Sequence, residues 1–305
     1  MSDTFFTASP EWGWYIVAYF FVGGVAGGCF FIASLLQLAG RPEDGPVIRL
    51  GHYVAFGGAL VSGVLLTLDL TRPERFWHML IASNTGDLMF KAWSPMSVGA
   101  WGLLLFSAAA TVALAGSLAE TGTLSWAPLR GLARGLPATL VAIAGSTLGF
   151  FLAGYTGVLL AVTNRPLWAD SPFLGALFLC SAASTGAAAL MLLGMRWPQV
   201  HPATIGWLTR FDRAALWLEL VALGAFVASL GSVARVLVGW WGLALTLGVA
   251  GLGVVAPLAM SYRVHQPGTV VRAATLVLSG GLLLRMVVIL SSNQIHAAGS
   301  GVALP

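Results

Sequence analysis

The chain has 305 residues, of which 58% are hydrophobic and only 9% charged, and its formal net charge is +4. A water-soluble domain needs roughly a quarter of its residues charged, so with a mean hydropathy of +0.87 the surface of this chain is expected to face lipid. The basic residues are scattered without a run, which excludes nucleic acid as an expected partner.

Apolar runs of about 20 residues read as helices that cross a bilayer. Eight are predicted, at roughly 14–39, 48–70, 95–118, 137–163, 172–195, 213–234, 240–261 and 270–291. Backbone groups in lipid must pair internally, so the expected fold is all-α integral membrane, a bundle of eight transmembrane helices in a single domain, 1–305. The 38 glycines suit helices that approach closely in a bilayer. Asp3 and Glu11 precede the first run without any Lys or Arg, so a cleaved signal peptide is not expected.

In chain order, helix 1 carries Tyr19 roughly 10 Å below the surface at which it starts. Helix 2 ends on Asp69, at that same surface. The segment "DLTRPERFWHMLIASNTGDLMFKAWSPMS" (69–97) is too long for a turn, and its "FWHMLIA" part is expected along the interface with Trp77 and Trp93 as anchors. Helix 4 carries Tyr155 roughly 13 Å before its end. The steps Arg72-Pro73 and Arg165-Pro166 close helices 2 and 4, either as plain termination or as a docking surface for a soluble partner. Helix 5 holds Ser184 and Thr185, helix 6 holds Glu219 with Asp212 at its mouth, and helix 8 holds Arg285.

The loops after helices 1, 3, 5 and 7 hold Arg41, Arg49, Arg130, Arg134, Arg196, Arg210, Arg213, Arg263 and Arg272, against Arg72, Arg75, Lys91, Arg165 and Arg235 on the other side. The richer set is expected to be cytoplasmic, which places both termini on the outer face. His52, His78, His201, His265 and His296 all fall at expected helix ends or in loops, so no axial pair for a haem is expected. Cys29 and Cys180 are too few for an iron–sulfur cluster, and no metal site is expected.

Depth puts Tyr155, Tyr19 and Asp69 in one outer layer. A quinone asks for donors to its carbonyl oxygens, an apolar groove for its tail and a titratable group for its protons. The alternative is that the tyrosines form an interfacial belt. Intramembrane charges point to function by default. Glu219, Asp212 and Arg285, with Ser184 and Thr185 between, are therefore expected to form either a proton relay or separate hydrogen-bonded locks.

The strings "FFVGGVAGG", "DLTRPERFW", "SPMSVGAWG", "GYTGVLLAVTNRPLW" and "GGLLLRMVVI", in this order, resemble the NrfD/PsrC family of polysulfide reductase-type membrane subunits over nearly the whole chain. The resemblance implies a quinone (menaquinone or ubiquinone) bound near the outer face of a four-helix bundle made by the first helices. It also implies that this chain holds no haem or iron–sulfur cluster. A ferredoxin-like iron–sulfur subunit would dock on that face, a catalytic subunit, often a molybdenum enzyme, would lie beyond, and the assembly would sit in the bacterial cytoplasmic (inner) membrane. Tyr155 matches the family's proposed quinone ligand. Two further polar ligands of helix 1, an Asn and a His, align here with Ile16 and Tyr19, so Tyr19 is expected to supply the hydroxyl instead. Asp69 and Arg72 complete the expected quinone-binding set. The function implied is that of a quinone-reactive subunit, inactive alone, in a respiratory oxidoreductase. The alternatives are a passive anchor or a small-solute transporter, for which no matched pair of interrupted helices is visible.

Overall fold

The computed structural model describes residues 12–124, 131, 134–237, 239–262 and 267–300. Within them the chain is helical, with one isolated β-bridge between Ile81 and Leu88. We number the long helices α1 (Trp14–Ala39), α2 (Gly45–Asp69), α3 (Pro95–Glu120), α4 (Gly135–Ala161), α5 (Leu174–Gly194), α6 (Pro202–Ser229), α7 (Trp240–Ser261) and α8 (Pro267–Ser300). Seven of them are long and apolar enough to cross a membrane. The eighth expected span falls on α6, which carries Arg210, Asp212, Arg213 and Glu219 and lacks an equally apolar stretch.

The start of α6 lies well before the expected 213. Pro202 occupies its first turn, where a missing N–H costs nothing, and the His201 ring accepts from the Ala203 N–H at 3.2 Å. Its buried stripe runs through Thr204, Leu208, Asp212, Leu216, Glu219, Leu223 and Phe226. This is the spacing of one helix face, so both carboxylates turn inward and the arginines stay off that face. Inside α7 the segment Ala244–Val255 is wound as a π-helix.

Two groups of four helices result. α1 packs on α2 and α4, and α3 on α2 and α4; in the second group α5 packs on α6 and α8, and α7 on α8. The seam between the groups is α1 and α4 against α5, with α8 also touching α1. It is lined with glycine, a Cβ on Gly186 of α5 standing 2.7 Å from the Gly28 carbonyl carbon of α1, and inside the first group α1 meets α4 in the same way, a Cβ on Gly27 standing 2.6 Å from the Gly149 carbonyl oxygen. Without side chains the backbones touch, which is how helices gain packing energy where lipid removes the hydrophobic drive. Gly27→Ala is expected to lower stability by about 1–3 kcal/mol through this overpacking, read as a fall in the thermal unfolding midpoint of the detergent-purified chain.

Two sequence expectations are corrected here. Arg165 does not offer a docking surface: α4 ends at Ala161, and Arg165 is 1% exposed, lying 5.6 Å over the Trp168 ring. His52 is not at a helix end. α2 begins at Gly45, which sets His52 two turns inside and buries it. Arg130, Arg263 and His265 lie outside the described residues.

Candidate functional site

A cavity of ≈ 680 Å³ opens in the α1–α4 group, at the end where α1 and α3 begin and α2 and α4 finish. Its walls come from all four helices and from the segment after α2. Tyr19, Tyr155 and Asp69 all line it, so the three groups placed in one layer by depth face one space. Arg72 does not line it. It is exposed at the start of the 3₁₀ turn Pro73–Met79, and its carbonyl accepts from the Arg75 N–H.

The two phenols differ in what their oxygens do. Tyr155 is buried, stacks on Phe151 (5.2 Å between ring centroids) and donates its hydroxyl to the Pro95 carbonyl in the first turn of α3. Gly99, one turn further, gives its ring room, because a β-carbon there would overlap the phenol. Tyr19 is 3% exposed, and its hydroxyl has no hydrogen-bond partner among the described residues. The Tyr19 ring and the Ser62 hydroxyl both lie against Gly23, at ordinary contact distance (3.5 and 3.4 Å) from where a β-carbon would stand. The Tyr19 oxygen is not sealed in as the Ser62 hydroxyl is; it faces the open space of the cavity, where a ligand or water can accept from it.

The rest of the lining is mostly apolar: Ile16, Phe20, Phe56, Leu66, Leu103 and Leu159 among others. Leu60, Val64 and Leu68 of α2 and Leu104 of α3 belong both to the cavity wall and to the lipid-facing surface. The cavity therefore reaches the side of the bundle between α2 and α3. Over its end lies the segment 70–94, fastened to α3 by Trp101 Nε1 donating to the Met89 carbonyl (3.0 Å) and by the Ser97 hydroxyl (3.3 Å to the same oxygen). Trp77 and Trp93, expected as interfacial anchors, are both exposed on this segment.

Sequence reasoning missed Trp12, which lines the cavity and stacks at 5.3 Å on Trp168; Trp168 Nε1 in turn donates to the Val288 carbonyl of α8 (2.8 Å). It lies before the first apolar run, where no periodic pattern marks it. Sequence reasoning also missed Ser107 and Thr111 on the α3 wall. Their four-residue spacing was the available signal, since it sets two hydroxyls on one helix face.

The intramembrane charges meet in the second group. The Ser184 hydroxyl donates to Glu219 Oε2 at 2.7 Å. Arg285 Nη1 donates to the Ser181 hydroxyl, one turn before Ser184, and to the Gly281 carbonyl at 2.9 Å, while Nη2 reaches the Phe178 carbonyl at 3.3 Å. The α5 serines thus connect Glu219 of α6 to Arg285 of α8. Ser181 was missed, although Ser-Ala-Ala-Ser places its first and last hydroxyls on one face. Thr185 stays outside the connection, its hydroxyl turned to the Ser181 carbonyl of its own helix (2.6 Å). Asp212 is buried two turns before Glu219, its Oδ1 without a partner among the described residues. No group of three or more His, Cys, Asp or Glu side chains arranged for a metal ion occurs among the described residues.

With this geometry in place, the likeness to known proteins gains meaning. The model of the family described as "Polysulphide reductase, NrfD" matches residues 4–297. A polysulfide reductase polypeptide of Wolinella succinogenes is 28% identical, over 91% of this chain and 93% of that protein. The protein NrfD of Escherichia coli is also 28% identical, over 97% and 99%. A selenate reductase polypeptide of Mesobacillus selenatarsenatis is similar over a shorter stretch, 25% identical across 27% of this chain and 20% of its own length.

Proposed function

The chain belongs to the NrfD family, and from that premise we propose that it is the quinone-binding membrane subunit of a respiratory reductase complex, with the α1–α4 cavity as its quinone site. Relatives named as parts of polysulfide and selenate reductases support the assignment to a reductase. The observation that carries the quinone reading is the single cavity that joins Tyr19, Tyr155 and Asp69 and opens sideways to lipid. Its volume lies within the usual range for small-molecule sites, roughly 300–1,000 Å³. The donor set fits: a polar end with a spare hydroxyl facing the cavity, and long apolar walls for an isoprenoid tail.

When bound, a quinone supplies two-electron carrier chemistry that side chains lack. The chain's own residues then bind, orient and exchange protons. Tyr19, with no partner, is the donor to a carbonyl oxygen. Tyr155 has committed its proton to Pro95 and keeps lone pairs, so it accepts from a hydroxyl or fixes the ring edge. Asp69, half-buried at the cavity's end, takes up or gives a proton. Arg72, outside the wall, adds positive potential at the rim. The segment 70–94, lying over this cavity, is the docking face for an iron–sulfur subunit of ferredoxin type, with a catalytic subunit, of molybdenum type, beyond.

In this reading α6 is the eighth span, its carboxylates turned toward α5 and away from lipid. Both termini then lie on the outer face of a bacterial cytoplasmic membrane, with the arginine-rich loops inside. The connection Glu219, Ser184, Ser181, Arg285, with Asp212 two turns before Glu219 as its entrance, is a proton path through the second group.

The test is quinone binding to the purified complex. Tyr19→Phe is expected to weaken it by about tenfold, the value of one buried hydrogen bond of about 1.4 kcal/mol. Tyr155→Phe should weaken it less, because its hydroxyl already has a partner. Unchanged affinity in Tyr19→Phe would remove the site, and a complex that never carries quinone would reduce this protein to a passive anchor.

A further inference from the structure

The second group of helices carries its charges unevenly. Glu219 is the last acidic residue of the chain, and between Asp170 and Glu219 the only other acid is Asp212. Asp212 and Glu219 are both buried. The end of this group away from the large cavity nevertheless holds Arg196, Arg210, Arg213 and Arg272. None of the four forms an ion pair among the described residues, where Arg41 with Glu43 is the one such pair.

Three side chains at that end stand together between α6 and α7. The Arg213 guanidinium lies over the Tyr262 ring, 4.9 Å from its centroid. Trp217, one turn further along α6, donates its Nε1 to the Tyr262 hydroxyl at 3.3 Å. Arg210 precedes Arg213 by three residues, so 210, 213 and 217 follow one face of the helix. Neither guanidinium donates a hydrogen bond to a described residue, and the Tyr262 proton is likewise unclaimed among them. Residues 263–266, outside the described part, add no acid by sequence. The cluster therefore offers positive charge and hydrogen-bond donors, with no exposed carboxylate beside them.

Beyond Trp217 the same side of α6 turns apolar. Trp217, Leu218 and Val221 are all exposed, and on α7, which packs against α6, Leu252 and Val255 are exposed too. Val221 lies eight residues past Arg213, about 12 Å along the helix. A cationic clamp thus stands at the head of an apolar strip.

We propose that this end of the α6–α7 pair binds one anionic phospholipid. Its phosphodiester lies between Arg210, Arg213 and the Tyr262 hydroxyl, and an acyl chain follows Trp217, Leu218 and Val221. The planar guanidinium fork matches phosphate oxygens. Charge then selects the headgroup. An ammonium-bearing headgroup meets two arginines and no exposed carboxylate to hold it, whereas a glycerol headgroup leaves the phosphate charge uncancelled. In the orientation proposed above the site lies in the cytoplasmic leaflet, whose surface potential is negative. The inference rests on α6 as a lipid-facing span and is independent of the quinone.

Native mass spectrometry of the delipidated full chain, titrated with phosphatidylglycerol or phosphatidylcholine, tests this. One cation near a headgroup is worth roughly fivefold in affinity. Phosphatidylglycerol should therefore bind on the order of 10-fold more tightly than phosphatidylcholine, and the preference should vanish when Arg210→Gln and Arg213→Gln are combined. Arg213→Lys keeps the charge and should keep most of the preference. Arg196→Gln with Arg272→Gln, at the same end but off this cluster, should leave it intact. A photoreactive benzoylphenylalanine in place of Val221 should capture phosphatidylglycerol in the otherwise wild-type chain and lose it in the double glutamine variant. Equal binding of the two lipids overturns the proposal, as does a preference that survives the double glutamine variant or is lost equally with Arg196 and Arg272. Displacement of the lipid by inorganic phosphate would mark a site for free anions and overturn the lipid as occupant. A probe at 221 that captures no lipid at all removes α6 as a span, and the proposal falls with it.

Discussion

Gly99→Val is expected to abolish quinone binding while leaving the chain folded. A β-carbon at residue 99 would occupy the Tyr155 ring position. That ring cannot step back, because Phe151 stacks behind it and its hydroxyl is tied to Pro95. The displaced phenol must move into the cavity that both residues line, taking the space of the ligand head. Small displacements of positioning groups cost about 100-fold in rate, so quinone-linked turnover should fall at least to that order. Quinone extracted from the purified complex, compared with wild type at equal helicity and equal subunit content, reads the effect. Normal quinone content in Gly99→Val would show that the occupant sits elsewhere.

Arg285→Met should be the most destabilising single charge removal in the chain, by about 3–5 kcal/mol, the cost of stranding a buried partner. Its guanidinium serves the Ser181 hydroxyl and the Gly281 and Phe178 carbonyls, with Glu219 held by Ser184 one turn further along α5. Removing it leaves the carboxylate without a compensating charge. Glu219→Gln preserves the bond from Ser184 and should cost far less. Adding Glu219→Gln to Arg285→Met should recover part of the loss, since no anion is then left alone. Thermal unfolding of the four proteins in one detergent decides this, and an additive pair would show that the two charges are not coupled. Glu219→Gln should also slow proton-linked turnover without reducing assembly.

Much of this was legible in the residues. Uniform apolar runs marked α1 and α7 at their observed starts, because length and hydropathy are local properties. The depth of Tyr19, Tyr155 and Asp69 followed from the helical rise alone. What depth leaves open is which helices are neighbours, and only the packing of α1 against α2 and α4 turns one layer into one cavity. α6 was misplaced because Arg210, Asp212 and Arg213 interrupt its apolar run, although Pro202 behind a capping histidine marked its true start. Arg165 was read from its Arg-Pro step as plain helix termination or a docking surface; it lies buried over Trp168, which itself stacks on Trp12 from a segment far away in sequence. His52 was passed over because hydropathy began its helix late.

The side opening between α2 and α3 has a consequence for what affinity means here. Leucines and valines at that mouth are wetted by acyl chains, so a ligand arrives by diffusing in two dimensions and partitions into the leaflet before it meets the protein. Occupancy then follows mole fraction among lipids, and dilution in buffer leaves it untouched.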